Sequence, residues 1–210
     1  MQTKAFVYTE LQNSVLFADV PWEALNRTLL RQPGLIDKTW LSGTGSQSLG
    51  GFYAFDSLVN AQRFVTGYFP SEARGFNLAQ SSRIFDAEVV AQASRDMNSV
   101  HFGGQLDMPP GAFVYTEVQL HLPFDQVPWR EMNPLLKQQP GILGKTWLSG
   151  INTHTPGGFY AFDTVENATA FAVDYFPTEA ANLNAAFTAR VFDAGPVEQA
   201  SRQLRSPFFA

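Results

Sequence analysis

The sequence predicts an α+β chain of two tandem ferredoxin-like (βαββαβ) units forming one fused α+β barrel. Three observations carry this. The heptad GGFYAFD stands at 50–56 and again, letter for letter, at 157–163. The same offset of 107 positions superposes AFVYTE (5–10 on 112–117), VPW (20–22 on 127–129), QPG (32–34 on 139–141), KTWLSG (38–43 on 145–150), YFP (68–70 on 175–177) and QASR (92–95 on 199–202). Roughly half of positions 5–95 recur identically, with no gap. Within each copy, stretches with strand and helix patterning follow in the order β-α-β-β-α-β. A solenoid needs three or more short repeats to bury its faces, whereas two copies of about 100 residues are domain-sized. The expected units are 1–95 and 112–210. The segment 96–111 (DMNSVHFGGQLDMPPG) breaks the pattern, and its Gly and Pro mark it as the linker.

Each element of the first unit has its own warrant. AFVYTELQ is rich in β-branched and aromatic residues and reads as strand 1. In DVPWEALNRTLLRQPG, Asp19 is the expected N-cap, Pro21 sits in the first turn and Gly34 closes the helical region. Trp22, Leu25, Leu29 and Leu30 recur at helical spacing, with Trp22 and Trp129 expected to pin this helix to the sheet. LIDKTWLSG is strand 2, TGSQSLG a hairpin loop and GFYAFD strand 3. Asp56 is the expected cap of a second helix, SLVNAQRFVTGYF, which should stop at Pro70. SSRIFDAE is strand 4. Both helices then cover one sheet face, and the apolar second face requires a partner, supplied here by the other copy. The heptad is thus the entry to the central strand of each half.

Composition narrows the function. At 45% hydrophobic and 16% charged, with 19 Phe, the chain has the makings of a core. A net charge of −5 without a basic patch argues against a nucleic-acid partner. With no cysteine, disulfides and thiolate chemistry are excluded. No apolar run is long enough to span a membrane, and strand-like sequence from Ala5 leaves no room for a signal peptide, so a cytoplasmic protein without a membrane partner is expected. The stretch GTGSQSLGG enters a strand rather than a helix, which rules out a phosphate cradle.

QPGLIDKTW, then GGFYAFDSLVNAQRF and RIFD, resembles the YdhR-like family of mono-oxygenases in the dimeric α+β barrel superfamily. QQPGILGKTW, PGGFYAFDTVENATAF and ARVFD in the second half resemble it more closely still. In that family one unit closes a barrel by homodimerising. The resemblance therefore implies a fused pseudo-dimer with the barrel formed within one chain, a monomer as the simplest state. It also implies cofactor-independent mono-oxygenation of an aromatic or polyketide-like small molecule, with no cofactor. Other members of the superfamily are cyclases and isomerases, and a non-catalytic barrel for hydrophobic ligands is the remaining alternative. Relatives often carry an acidic residue two places after the strand-2 Trp, where this chain has Ser42 and Ser149.

Such chemistry needs an apolar cavity, a group that deprotonates the substrate and donors for the resulting anion. The catalytic candidates are Trp40, Trp147, Tyr53 and Tyr160, whose indole and phenol groups can donate, and His121 as a proton-transfer group of the second half. Tyr8, Tyr115, Arg83, Arg190, Phe55 and Phe162 are the substrate-binding candidates, the arginines as anchors for a phenolate or carboxylate. Against these stand plainer expectations. The strand Trp and Tyr are core, Lys38 and Lys145 reach solvent at a sheet end or cover apolar surface with their stems, Arg83 and Arg190 pair with a carboxylate such as Asp86 or Asp193, and Glu10 and Glu117 are solvated. His101, His121 and His154 do not form a set and are expected at the surface, so no metal is expected.

Overall fold

The computed structural model describes residues 2–210. The elements run β1 (Ala5–Leu11), α1 (Trp22–Leu29), β2 (Leu35–Gly43), β3 (Leu49–Phe55), α2 (Leu58–Arg63), α3 (Phe69–Gly75) and β4 (Gln80–Asp86). They continue with α4 (Ala91–Asp96), β5 (Ala112–Val118), α5 (Trp129–Leu136), β6 (Ile142–Ser149), β7 (Pro156–Phe162), α6 (Val165–Ala170), α7 (Phe176–Asn182), β8 (Phe187–Asp193) and α8 (Glu198–Gln203). The first unit orders its antiparallel strands β4-β1-β3-β2 and the second β8-β5-β7-β6, the ferredoxin-like arrangement in both.

The compact units do not follow the repeat boundaries. One comprises Met1–Asp86 with Ala194–Ala210, the other Ala87–Asp193. Each QASR helix therefore completes the unit built by the other repeat. In the first unit the Ser201 hydroxyl of α8 accepts from the Trp40 backbone N–H at 2.9 Å. In the second, Ser94 of α4 accepts from Trp147 N–H at the same distance. The segment expected as a linker is also fixed in the second unit. Asn98 donates to the Gln105 and Leu143 carbonyls, and Ser99 bonds Thr146 at 2.6 Å.

Several local expectations need correcting. The second helix does not stop at Pro70. A π-helical turn, Phe64–Tyr68, follows α2, and α3 continues with Pro70 in its first turn. Proline is tolerated there because its missing N–H is one that a first turn leaves unused. Asp19 ends a 3₁₀ turn (Phe17–Asp19), and α1 starts after Pro21 without a side-chain cap. Ser57, not Asp56, caps α2 by accepting from Asn60 N–H; Asp56 instead accepts from the Asn60 side chain at 2.8 Å. Leu30 is exposed, and Asn26 is the buried polar residue of α1.

The core of each unit lies between its sheet and its helices. Phe64 packs on Tyr53 and Phe55 at centroid distances of 4.9 and 5.3 Å, and Phe171 repeats this on Tyr160 and Phe162. Such pairs add about 0.5–1.5 kcal/mol each beyond the area they bury.

Candidate functional site

Alternation along the strands selects what faces the helices. On β2 the helix face carries Lys38 and Trp40, on β3 Gly51 and Tyr53, and on β1 Val7 and Thr9. Both lysines expected at the surface are buried, Lys38 and Lys145 each at 2% exposure. The correction has a visible cause in the heptad. A Cβ at Gly51 would stand 2.6 Å from Lys38 Cε and 2.7 Å from the Tyr53 ring, and Gly158 sits in the same way against Lys145 and Tyr160. The second glycine of GGFYAFD is therefore the space through which the lysine stem passes.

The amine ends over an aromatic face. Lys38 Nζ lies 2.8 Å from the Trp40 ring centroid and 5.0 Å from that of Tyr53. Lys145 repeats this with Trp147 at 2.8 Å and Tyr160 at 4.9 Å. Burial holds both amines well below their ordinary value of 10.5; at Lys38 the Glu72 carboxylate works in the opposite direction. Burial also pushes the Tyr53 phenol up, with Glu72 adding to the rise and a hydrogen bond from Thr9 opposing it. Tyr53 thus remains a neutral donor, while its oxygen accepts from Thr9 at 3.4 Å.

The tryptophans are held from behind. Trp40 Nε1 donates to Asn26 Oδ1 at 2.9 Å, and Asn26 Nδ2 donates to the Ala200 carbonyl at 2.9 Å. In the second unit Trp147 donates to Asn133 at 2.8 Å, and Asn133 donates to Ala93 O and Asp96. The indole N–H groups are thereby committed, and each tryptophan offers its ring face to the lysine.

These groups border a pocket in each unit. The first, about 290 Å³, lies between β1–β3, α1 and α3 and is lined by Lys38, Trp40, Tyr53, Thr9, Phe69 and Glu72 among others. The second, about 100 Å³, is lined by the corresponding Lys145, Trp147, Tyr160, Thr116, Phe176 and Glu179 among others. Of the sequence candidates, the structure brings Trp40 and Tyr53 together, and likewise Trp147 and Tyr160. Tyr8 and Tyr115 neighbour the pocket-lining Thr9 and Thr116 on their strands and so point to the opposite sheet face. There they donate to the buried carboxylates of Glu10 and Glu117, which had been expected in solvent. Arg83 and Arg190 stand opposite Tyr8 and Tyr115 in the register, exposed and away from the pockets. Phe55 and Phe162 share the face of the pocket tyrosines but pack against Phe64 and Phe171. His121 is exposed, 3.0 Å from the Thr153 carbonyl and edge-on to His154, and lines neither pocket.

His101, expected at the surface, is half-buried with Nδ1 3.2 Å from Thr146 Oγ1. Among the described residues no three His, Asp or Glu side chains form a metal-binding group, and no helix is long and apolar enough to cross a membrane. Sequence reasoning missed the site roles of Lys38, Lys145 and Glu72. The only signal for the lysines was the second heptad glycine, which pairs with the tryptophan two residues beyond each lysine, and Glu72 lies beyond Pro70, where no helix was expected.

No protein-family model matches the chain, and no curated protein matches it in sequence. Solved structures do match. One described as an anthrone oxidase-like protein is 15% identical with a TM-score of 0.52, over 90% of this chain and 91% of the other. A mutant chlorite dismutase from Candidatus Nitrospira defluvii is 9% identical with a TM-score of 0.51, over 99% of this chain and 97% of the other. A monooxygenase-like protein from Listeria innocua is 9% identical with a TM-score of 0.49, over 90% and 94%. At these identities the likeness is one of fold alone, the ferredoxin-like α+β arrangement.

Proposed function

We propose that the chain is a cofactor-independent mono-oxygenase of YdhR-like type, acting on a hydroxylated aromatic or polyketide-like small molecule. The observation that carries this reading is the buried Lys38 amine, seated on the Trp40 face in an apolar pocket that Tyr53 also lines. Burial weakens the amine's hold on its proton, which suits it to act as a general base. Lys38 takes a proton from the acidic C–H or O–H of the substrate. The resulting ammonium and the Tyr53 O–H stabilise the enolate or phenolate.

The electron-rich anion then reacts with dioxygen. A C–O bond forms, and Lys38 returns its proton to the peroxide. Loss of the second hydrogen on that carbon, with cleavage of the O–O bond, leaves a carbonyl and releases water. For an anthrone the balance is anthrone plus O₂ giving quinone plus H₂O. The name of the anthrone oxidase-like structural neighbour is consistent with this substrate class.

The test is oxygen uptake by metal-free protein with anthrones, hydroquinones and catechols, against heat-inactivated protein. Uptake is expected for at least one anthrone, and the Lys38→Met/Lys145→Met double variant should lose at least about 100-fold, in line with removal of a general base. A double variant as active as wild type would remove the lysine from the mechanism. Substrate conversion that proceeds equally without oxygen would favour a cyclase or isomerase using the same base.

A further inference from the structure

The two pockets have the same floor but not the same size. The first measures about 290 Å³ and the second about 100 Å³. An apolar cavity of about 150 Å³ holds one benzene molecule. The first therefore has space for roughly two fused rings, and the second for less than one. Part of the difference is visible in the sequence. At matched positions of the two copies, Asn13 is replaced by Leu120, Val15 by Leu122, Leu25 by Met132 and Thr28 by Leu135, and all four second-unit residues line the smaller pocket.

A second difference lies where the π turn meets the following helix. Tyr68 donates to Glu72 at 2.6 Å, and Tyr68 is not among the residues lining the first pocket. Its counterpart Tyr175 makes no such bond to Glu179 among the described residues and lines the second pocket instead. The rim of the first pocket also includes Asn13 and Asp19, where the second copy has Leu120 and Gln126. An aromatic ligand in the first pocket can thus turn a hydroxyl towards either Lys38 or the polar rim.

We propose that the chain is functionally asymmetric: the first-unit pocket binds a hydroxylated arene of at least two fused rings, and the second-unit pocket binds none. This rests on the reading of the lysine pocket as a substrate site, and it names which copy serves and what size of ligand it takes. The second unit keeps the fold and the lysine–tryptophan floor, with its pocket filled from its own side chains.

Isothermal titration of the full chain with 2-naphthol tests this separately from turnover. One equivalent bound per chain is expected. Leu25→Trp and, independently, Leu78→Trp place an indole at the partly exposed rim of the first pocket and should weaken binding at least tenfold, with melting temperature reporting that each variant folds. Two equivalents per chain would overturn the asymmetry and leave the proposed function standing. One equivalent that survives in both folded tryptophan variants would also overturn it. No binding of 2-naphthol at millimolar concentration would overturn the asymmetry, and together with absent oxygen uptake it would remove the proposed function as well.

Discussion

A lysine 2% exposed on the face of a tryptophan is the most consequential residue of either unit. Burial lowers its affinity for a proton in the fold, and Glu72 only partly offsets this at Lys38. In the unfolded chain the lysines keep their ordinary 10.5. Between the lowered value and 10.5 the unfolded state therefore binds more protons, so stability rises with pH through that window and is least below it. The slope is at most about 1.4 kcal/mol per pH unit for each lysine. Urea melts from neutral pH towards 10.5 should therefore show wild type gaining stability relative to Lys38→Met/Lys145→Met. Parallel pH profiles for the two proteins would mean that the amines remain charged in the fold, and Lys38 would then be no base. The glycines opposite the two tryptophans, Gly51 and Gly158, belong to the same device, because any Cβ there occupies the path of the lysine stem.

Elements matter here for what they hold in place. Asn26 on α1 accepts from the Trp40 indole and donates to Ala200 on α8, and so links helix, sheet and C-terminal helix through one side chain. Asn26→Ala would leave a buried indole N–H without its acceptor. A loss of about 1–3 kcal/mol is expected, measured as a fall in the urea midpoint. An unchanged midpoint would mean that the indole finds another acceptor and that the asparagine does not set the tryptophan. The helix after Pro70 is the other decisive element. The π turn Phe64–Tyr68 brings α3 across the pocket, and α3 delivers Phe69 and Glu72 to it.

At the scale of the molecule, each compact unit needs chain from both repeats. The first is Met1–Asp86 completed by Ala194–Ala210. A fragment of residues 1–95 lacks α8, so Asn26 loses Ala200 and Trp40 N–H loses Ser201. The fragment carries its own copy of the same helix, with Ser94 where α8 has Ser201. Two fragments exchanging that helix would restore both bonds. The fragment is therefore expected to elute as a dimer in size-exclusion chromatography and to unfold at a concentration-dependent temperature. A cooperatively folded monomer would show that the completing helix is dispensable.

The sequence by itself determined the fold class, the repeat, and the strands of both units to within a residue or two. These follow from local hydrophobic period and from an offset visible in the letters. It also named Trp40, Tyr53, Trp147 and Tyr160 as candidates, while the strand register puts each pair on one sheet face. Only the tertiary structure decided that the lysines are inside, since burial depends on a glycine across the strand pair and a helix from beyond a proline. The same holds for Asn26, which a helical wheel would leave unremarked and which only the approach of α8 makes a buried anchor. The unequal pockets, too, follow from how the substitutions around each pocket fill space together, a three-dimensional sum that no single position carries.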